Sequence, residues 1–262
     1  MVKNIPVTLS VFLLLLLGVL QPSNAQKQLR IKTVVIDAGH GGKDPGCHGK
    51  SIKESIIALK VALELGKNIK KAMPDVKVLF TRSTNKFIEL HDRANFANKN
   101  HADLFISIHC NSNNKSGIRG TETYTMGLAS SEVNLEVAKR ENSVILQETD
   151  YKVKYGGFDP KSPLGHIFLA NYQSVHMENS LRFADKIENQ FKDRVGRHSR
   201  GVKQAGFIVL WRTAMPSVLV EIGFLTNEEE EKYLSDPKGQ SYIASGLFRA
   251  FRDYKEEMEA VE

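Results

Sequence analysis

The stretch VVIDAGHGG, Val34 to Gly42, decides how the rest of the chain is read. Val34, Val35 and Ile36 are a β-branched run of the kind that forms a strand buried on both faces of a mostly parallel sheet. The strand ends at Asp37, and Gly39, Gly41 and Gly42 let the backbone bend tightly around His40. An imidazole at the carboxyl end of a buried strand stands where open α/β sheets place their chemistry. A lone histidine beside a turn is more often structural, so the remaining strands have to decide.

Outward from this turn, apolar residues recur at helical spacing from Ser51 to Ala72, and the helix ends before Pro74. Val76 to Thr81 reads as a second strand, Ile88 to Asn100 as a helix, and Asp103 to His109 (DLFISIH) as a third strand closing on a histidine. Thr121 to Met126 alternates as a further strand. Between Ser130 and Arg200 the chain is rich in Glu, Lys, Asn and Arg, which predicts helices over 131–148 and 176–194 joined by a loop, YGGFDPKSPLG. A short strand is expected at Phe207 to Leu210, and Pro216 to Glu221 (PSVLVE) is an apolar run closing on an acid. Thr226 or Asn227 suits the N-cap of the helix with four glutamates, and a last amphipathic helix spans about Lys238 to Glu257. Strands alternating with helices, without repeat or linker, predict one α/β domain: a mostly parallel central sheet flanked by helices on both faces.

Composition sets the outer bounds. The chain has 262 residues, long enough for a full core, with 41% hydrophobic and 25% charged residues, ordinary for a globular protein. Residues 1–25 read as a secretory signal: Lys3, the apolar run Val11 to Leu20, and a small-x-small site at Ser23-Asn24-Ala25. The run is short for a membrane span. Its removal takes the formal charge from +6 to about +5, a mild basic balance suited to an anionic polymer such as a cell wall. The charge is spread out, with no nucleic-acid motif, so nucleic acid is not an expected partner. Cys47 and Cys110, the two cysteines, are too few for a disulfide framework. They read as two small buried thiols, a single bridge after export being the alternative.

If the three closing strands are parallel, His40, His109 and Glu221 emerge at one sheet edge, and Glu54, opening the helix after the first strand, lies at the same edge. Glu54 alone would pass for a solvated acid that complements the helix dipole. Two histidines and a carboxylate are the ligand set of many catalytic zinc sites, and a further carboxylate is what a zinc hydrolase needs as general base.

IDAGHGGKDPGCHG, Glu54, HDRANFAN, ADLFISIHCNS, GVKQAGFIVL and PSVLVEIGFLTNEEE, in that order, resemble the zinc-dependent N-acetylmuramoyl-L-alanine amidases of bacterial cell-wall turnover. The resemblance runs from about Ile31 to the C-terminal helix. It implies the phosphorylase/hydrolase-like amidase fold, zinc held by His40, Glu54 and His109, and Glu221 as the catalytic acid–base, cutting the amide between N-acetylmuramic acid and L-alanine of the stem peptide. It also implies one catalytic domain over 26–262 with a helical insertion at about 130–200, peptidoglycan as substrate, and a periplasmic or secreted monomer. Arg93 matches the family too and reads as a buried structural ion pair. Asn111 is a candidate substrate contact or an ordinary turn asparagine. His48, His91, His101, His166, His176 and His198 match no motif and read as non-ligands.

Two features depart from the common pattern: Cys47 and Cys110 stand where small residues are usual, and Ser55 where a lysine is common. In some relatives an inserted helix covers the zinc site until an activator protein displaces it. By that resemblance, 131–148 is either such a helix, with Glu141 or Glu148 approaching the metal, or a plain surface helix shaping the substrate groove. A zinc peptidase acting within the stem peptide and a non-catalytic wall-binding module are the competing function classes.

Overall fold

A computed structural model describes residues 30–170 and 175–260. The signal expected over 1–25 lies outside the described residues. Six strands, β1 (Thr33–Ala38), β2 (Lys77–Phe80), β3 (Leu104–Asn111), β4 (Thr121–Met126), β5 (Ser199–Ala205) and β6 (Ser217–Phe224), form one sheet in the order β2-β1-β3-β6-β4-β5. β2, β1, β3 and β6 run parallel; β4 is antiparallel to β6 and parallel to β5. The expected architecture is therefore present.

Burial on both faces explains the unbroken apolar runs of β1, β3 and β6. Val34, Ile36 and Ala38 pack on one side with α1 (Glu54–Ala72), while Val35 faces the other side with α2 (Leu90–Lys99). The first face is completed by α6 (Met177–Gln190) and the long C-terminal α9 (Pro237–Ala260), through Phe183, Ile187, Leu247 and Phe251. The second takes α3 (Glu132–Asn142) and the short α7 (Ile208–Trp211), through Val137, Ala138, Ile208 and Leu210. Fully burying one such aliphatic side chain is worth roughly 1.5–3 kcal/mol, so the two layers dominate the stability. The N-cap of α8 (Glu228–Ser235) is Asn227, whose side chain accepts from the Glu229 and Glu230 amides.

Three expectations are corrected. Phe207 to Leu210 is no strand: Ile208–Trp211 is a helical turn that drives its apolar side chains into the second layer, and the strand is the preceding Ser199–Ala205. The expected loop YGGFDPKSPLG ends early, because Pro163 starts α5 (Pro163–Ala170), the first-turn position where a proline's missing N–H costs nothing. The helix expected over 131–148 is α only to Asn142 and then tightens into a 3₁₀ turn, Ser143–Gln147; α4 (Tyr151–Lys154) follows.

Because β4 runs opposite to β6, it ends away from the edge where His40 and His109 emerge. α3 carries the chain back toward that edge. Its N-cap Ser131 accepts from the Asn134 amide, and its last turn reaches the two histidines.

Candidate metal centre

β1 ends one residue before Gly39, and the turn that follows holds His40 at φ 60°, in the left-handed region that costs a non-glycine residue on the order of 1 kcal/mol or more. Two buried arginines hold it there. Arg82 donates to the carbonyls of Ala38 (2.8 Å) and Gly39 (2.6 Å). Arg93 donates to Asp37 (2.8 Å), Ala38 O (2.8 Å) and His40 O (2.9 Å). Arg93 is thus the buried ion-pair residue expected from the sequence. Asp37 is completed by the hydroxyls of Thr81 (2.5 Å) and Ser107 (2.7 Å). Gly39 lies so close to the His109 ring that a Cβ there would meet it at 2.5 Å, and one at Gly46 would meet Glu54 Oε2 at 2.5 Å. The glycines of this turn let backbone approach the side chains of the site.

The structure brings His40, Glu54 and His109 together and adds Glu141, from the last turn of α3; all four are buried. Glu54 Oε1 is 3.0 Å from His40 Nε2 and 3.0 Å from His109 Nδ1. Glu141 Oε2 is 3.2 Å from His40 Nε2 and 3.1 Å from His109 Nδ1. Four donors at about 2.0–2.1 Å from one ion in a tetrahedron stand about 3.3 Å apart, close to these spacings. His40 Nε2 and Glu141 Oε2 are buried without a hydrogen bond, the signature of atoms awaiting an ion. Asp44 holds His40 Nδ1 at 2.7 Å, turning Nε2 to the centre, as carboxylates commonly do for metal-bound imidazoles. The second oxygen of Glu54 accepts from the Cys47 amide at 2.8 Å, fixing its plane. The residues fit a four-coordinate metal ion.

The electrostatics agree. Burial works against charge on the imidazoles, but the Glu54 carboxylate raises His40 well above its ordinary value, and Glu141 raises His109 to about 9. Burial would raise the two carboxylates; His40 instead draws Glu54 below the ordinary range, and Arg140 with His109 does the same for Glu141. The cluster demands positive charge. Glu221 differs. Fully buried on β6 with its Cα paired to that of His109, it is pushed well above the ordinary carboxylate range by burial and by the neighbouring Glu141. Its Oε1 lies 3.5 Å from Arg140 Nη2, and its Oε2 has no hydrogen-bond partner.

Of the two glutamates considered for the covering helix, Glu141 reaches the histidines and Glu148 does not. The 3₁₀ turn carries Glu148 away to the start of α2, where it accepts from the Leu90 amide (2.9 Å) and the Tyr155 hydroxyl (2.7 Å). There Glu89, His91 and Glu148 form a second group with metal-type atoms, but Lys154 Nζ at 2.5 Å from Glu89 already supplies its cation. Cys47 and Cys110 are free thiols, Cys47 Sγ lying 3.1 Å from the Cys110 carbonyl, and burial pushes both thiols up, away from the thiolate form. Asp44, Arg82 and Arg140 were not singled out from the sequence. Asp44 could have been, as an acid four residues after His40 inside a glycine turn.

A sequence-family model described as N-acetylmuramoyl-L-alanine amidase matches residues 34–253, which include every residue of this centre. The chain belongs to that amidase family. It is 32% identical over 235 residues to the amidase AmiA of Escherichia coli K12, covering 88% of this chain and 78% of AmiA. An N-acetylmuramoyl-L-alanine amidase from Clostridium difficile 630 superposes with a TM-score of 0.64 at 26% identity, covering 86% of this chain and 97% of that one. The catalytic domain of CwlV from Bacillus (Paenibacillus) polymyxa var. colistinus gives 0.60 at 31% identity, covering 85% and 97%. Both solved neighbours are amidase domains, consistent with the α/β sheet described above.

Proposed function

We propose that this chain is a zinc-dependent hydrolase of peptidoglycan that cuts the amide between the lactyl group of N-acetylmuramic acid and the L-alanine of the stem peptide, and that the conformation described is its closed form. The observation that carries the reading is the convergence of His40, Glu54 and His109 at the ends of β1, α1 and β3, with the unengaged carboxyl oxygen of Glu221 beside them. When bound, Zn²⁺ supplies polarisation of the amide carbonyl and a lowered pKa for water. Asp44 keeps His40 in the donor orientation, and Glu54 provides charge. Glu221 accepts a proton from the attacking water and returns it to the leaving amine, a task open to a buried carboxyl group with one oxygen unengaged beside the centre. The C–N bond breaks, a C–O bond forms, and the products are a lactyl carboxylate and a free L-alanine amine.

With the ion held by His40, Glu54 and His109, the Glu141 carboxylate beside the two histidines would take the place that the substrate carbonyl or water needs, so α3 would have to move before turnover. A protein partner that draws α3 off the centre is the activator this geometry calls for. The organisation that goes with this reading is an export signal over 1–25, one catalytic domain over 26–262 with a helical insertion at about 130–200, and a monomer acting in the periplasm or outside the cell.

The test is mass spectrometry of products released from purified peptidoglycan by the chain carrying Glu141→Ala, with and without a zinc chelator. Intact stem peptides with a free N-terminal L-alanine, lost on chelation and absent with Glu221→Gln, are expected. Fragments cut within the stem would replace the amidase reading by a zinc peptidase.

A further inference from the structure

Arg140 and Glu141 are consecutive residues at the end of α3, and they enter the centre as a pair of opposite charges. Glu141 puts a carboxylate oxygen against His40 and His109. Arg140 puts its guanidinium against three acceptors on the β3 and β6 side: Asn111 Oδ1 (3.0 Å), the Ser112 carbonyl (3.4 Å) and Glu221 Oε1 (3.5 Å). Its Nε also donates to Glu141 Oε1 at 2.9 Å, so the carboxylate and the cation lie side by side.

Hydrolysis of an amide leaves this same pair of charges, a carboxylate where the carbonyl was and a protonated amine where the nitrogen was. The acceptors around Arg140 are fixed before any ligand arrives. Asn111 Nδ2 donates to Glu122 Oε2 at 2.9 Å, which leaves Oδ1 as the acceptor, and that oxygen takes the Ser112 amide (2.8 Å) as well as Arg140. Glu122 is itself held ionised by Arg200 and Lys203, each at 2.6 Å from Oε1, and accepts the Tyr124 hydroxyl at 2.7 Å. The register of β3 against β6 shifts between His109 and Asn111, the sort of irregularity that re-aims a side chain beside a site. A carboxamide oxygen, a carbonyl and a carboxylate converging on one cation make a site for an amine, not for a carboxylate.

We propose that Asn111 Oδ1, the Ser112 carbonyl and Glu221 form the amine subsite, the one that receives the L-alanine nitrogen of the scissile bond, and that Arg140–Glu141 is a tethered likeness of the two products that fills it in the closed form. This rests on the amidase reading above. It also gives the substrate a direction. The groove of about 550 Å³ that runs from Asn111 past Asn113, Arg200, Phe224 and Thr226 takes the stem peptide, with Lys115 on hand for its carboxylates. The hollow on the other side of Arg140 and Glu141, lined by His40, Pro45, Gly46 and Ser143, takes the glycan side.

The experiment measures binding, not turnover. Isothermal calorimetry on the zinc-loaded Glu141→Ala chain compares the dipeptide L-Ala-γ-D-Glu with its N-acetylated form. Binding of the free amine is expected to be at least about tenfold tighter, the value of one hydrogen bond to a charged group. Adding Asn111→Leu should remove that preference. Adding Arg140→Leu, at a side chain that is 30% exposed and so keeps the fold, should strengthen binding of the free amine by about tenfold by emptying the subsite. The acetylated peptide, whose nitrogen carries no charge, should change much less than the free amine in both cases. Equal affinities for the two peptides, or a free-amine affinity indifferent to Arg140→Leu, would overturn the assignment. Since binding and not product is read, that result is separate from a failure of the amidase reading, which the product analysis alone decides.

Discussion

Replacing Arg93 by leucine tests the frame that holds His40. Arg93 is 1% exposed and is the counter-ion of Asp37, itself fully buried. Leucine fits the volume approximately but leaves the Asp37 carboxylate with only the Thr81 and Ser107 hydroxyls. Breaking one partner of a buried pair costs about 3–5 kcal/mol. The Ala38 carbonyl keeps its bond from Arg82, whereas the His40 carbonyl loses its side-chain donor, adding about 1 kcal/mol or more. The total is at least about 4 kcal/mol, against a stability on the order of 5–15 kcal/mol for a domain. At roughly 2–4 °C per kcal/mol for a chain of this size, the midpoint should fall by about 8 °C or more. Thermal melts followed by circular dichroism at pH 7 read this directly, and zinc affinity by competition should fall alongside, since His40 sits at φ 60° with its carbonyl released. A drop smaller than about 3 °C would refute the view that Arg93 carries the β1 turn. Arg93→Lys, which keeps the charge but not the fork, should fall between the two.

Other expected outcomes follow from single contacts. Glu141→Ala removes charge-assisted contacts worth about 1.5–3 kcal/mol from the closed form and should raise activity on isolated cell wall about tenfold to a hundredfold; unchanged or lower activity would count against a covering role for α3. Asp44→Ala frees His40 Nδ1 and should weaken zinc binding about 10–100-fold in a chelator titration, with little change in melting of the metal-free chain. Asp37 is held below its ordinary 3.8, with Arg93 and the two hydroxyls overcoming the opposing effect of burial, so its contribution to stability is complete above that value and is lost as pH falls through the lower folded value. Urea unfolding between pH 7 and pH 3 should show stability falling at the acid end, and Asp37→Asn should flatten that part of the curve. Asn227→Ala removes the cap of α8 and should cost about 1 kcal/mol, measured as a shift in the denaturation midpoint without a change in slope.

The parallel half of the fold was legible because burial on both faces writes itself into sequence: VVI, LFISI and VLV have nowhere to go but the middle of a covered sheet. Once those strands are parallel, His40, His109 and Glu221 fall at one edge, and Glu54 with them. β5 was not legible. Ser199–Ala205 is a half-buried edge strand of mixed polar residues, so no hydrophobic period marks it. The adjacent FIVL looked like a strand because an apolar run of that length suits either a strand or a buried helical turn. Glu141 was one of two acids named through family resemblance, and only the break from α3 into a 3₁₀ turn separates it from Glu148. Arg140, Asp44 and Arg82 act through long-range contacts with backbone and with charged groups, and a single sequence records no such pairing.

The antiparallel contact between β4 and β6 has a mechanical consequence. β4 leaves the sheet at the edge remote from His40, so α3 has to run back along the sheet to bring Arg140 and Glu141 to the ends of β1, β3 and β6. β3 and β6 are paired in parallel with each other, and β3 with β1. The strands that carry His40, His109 and Glu221 thus owe their pairing to elements other than α3, which joins the centre through the side chains of Arg140 and Glu141.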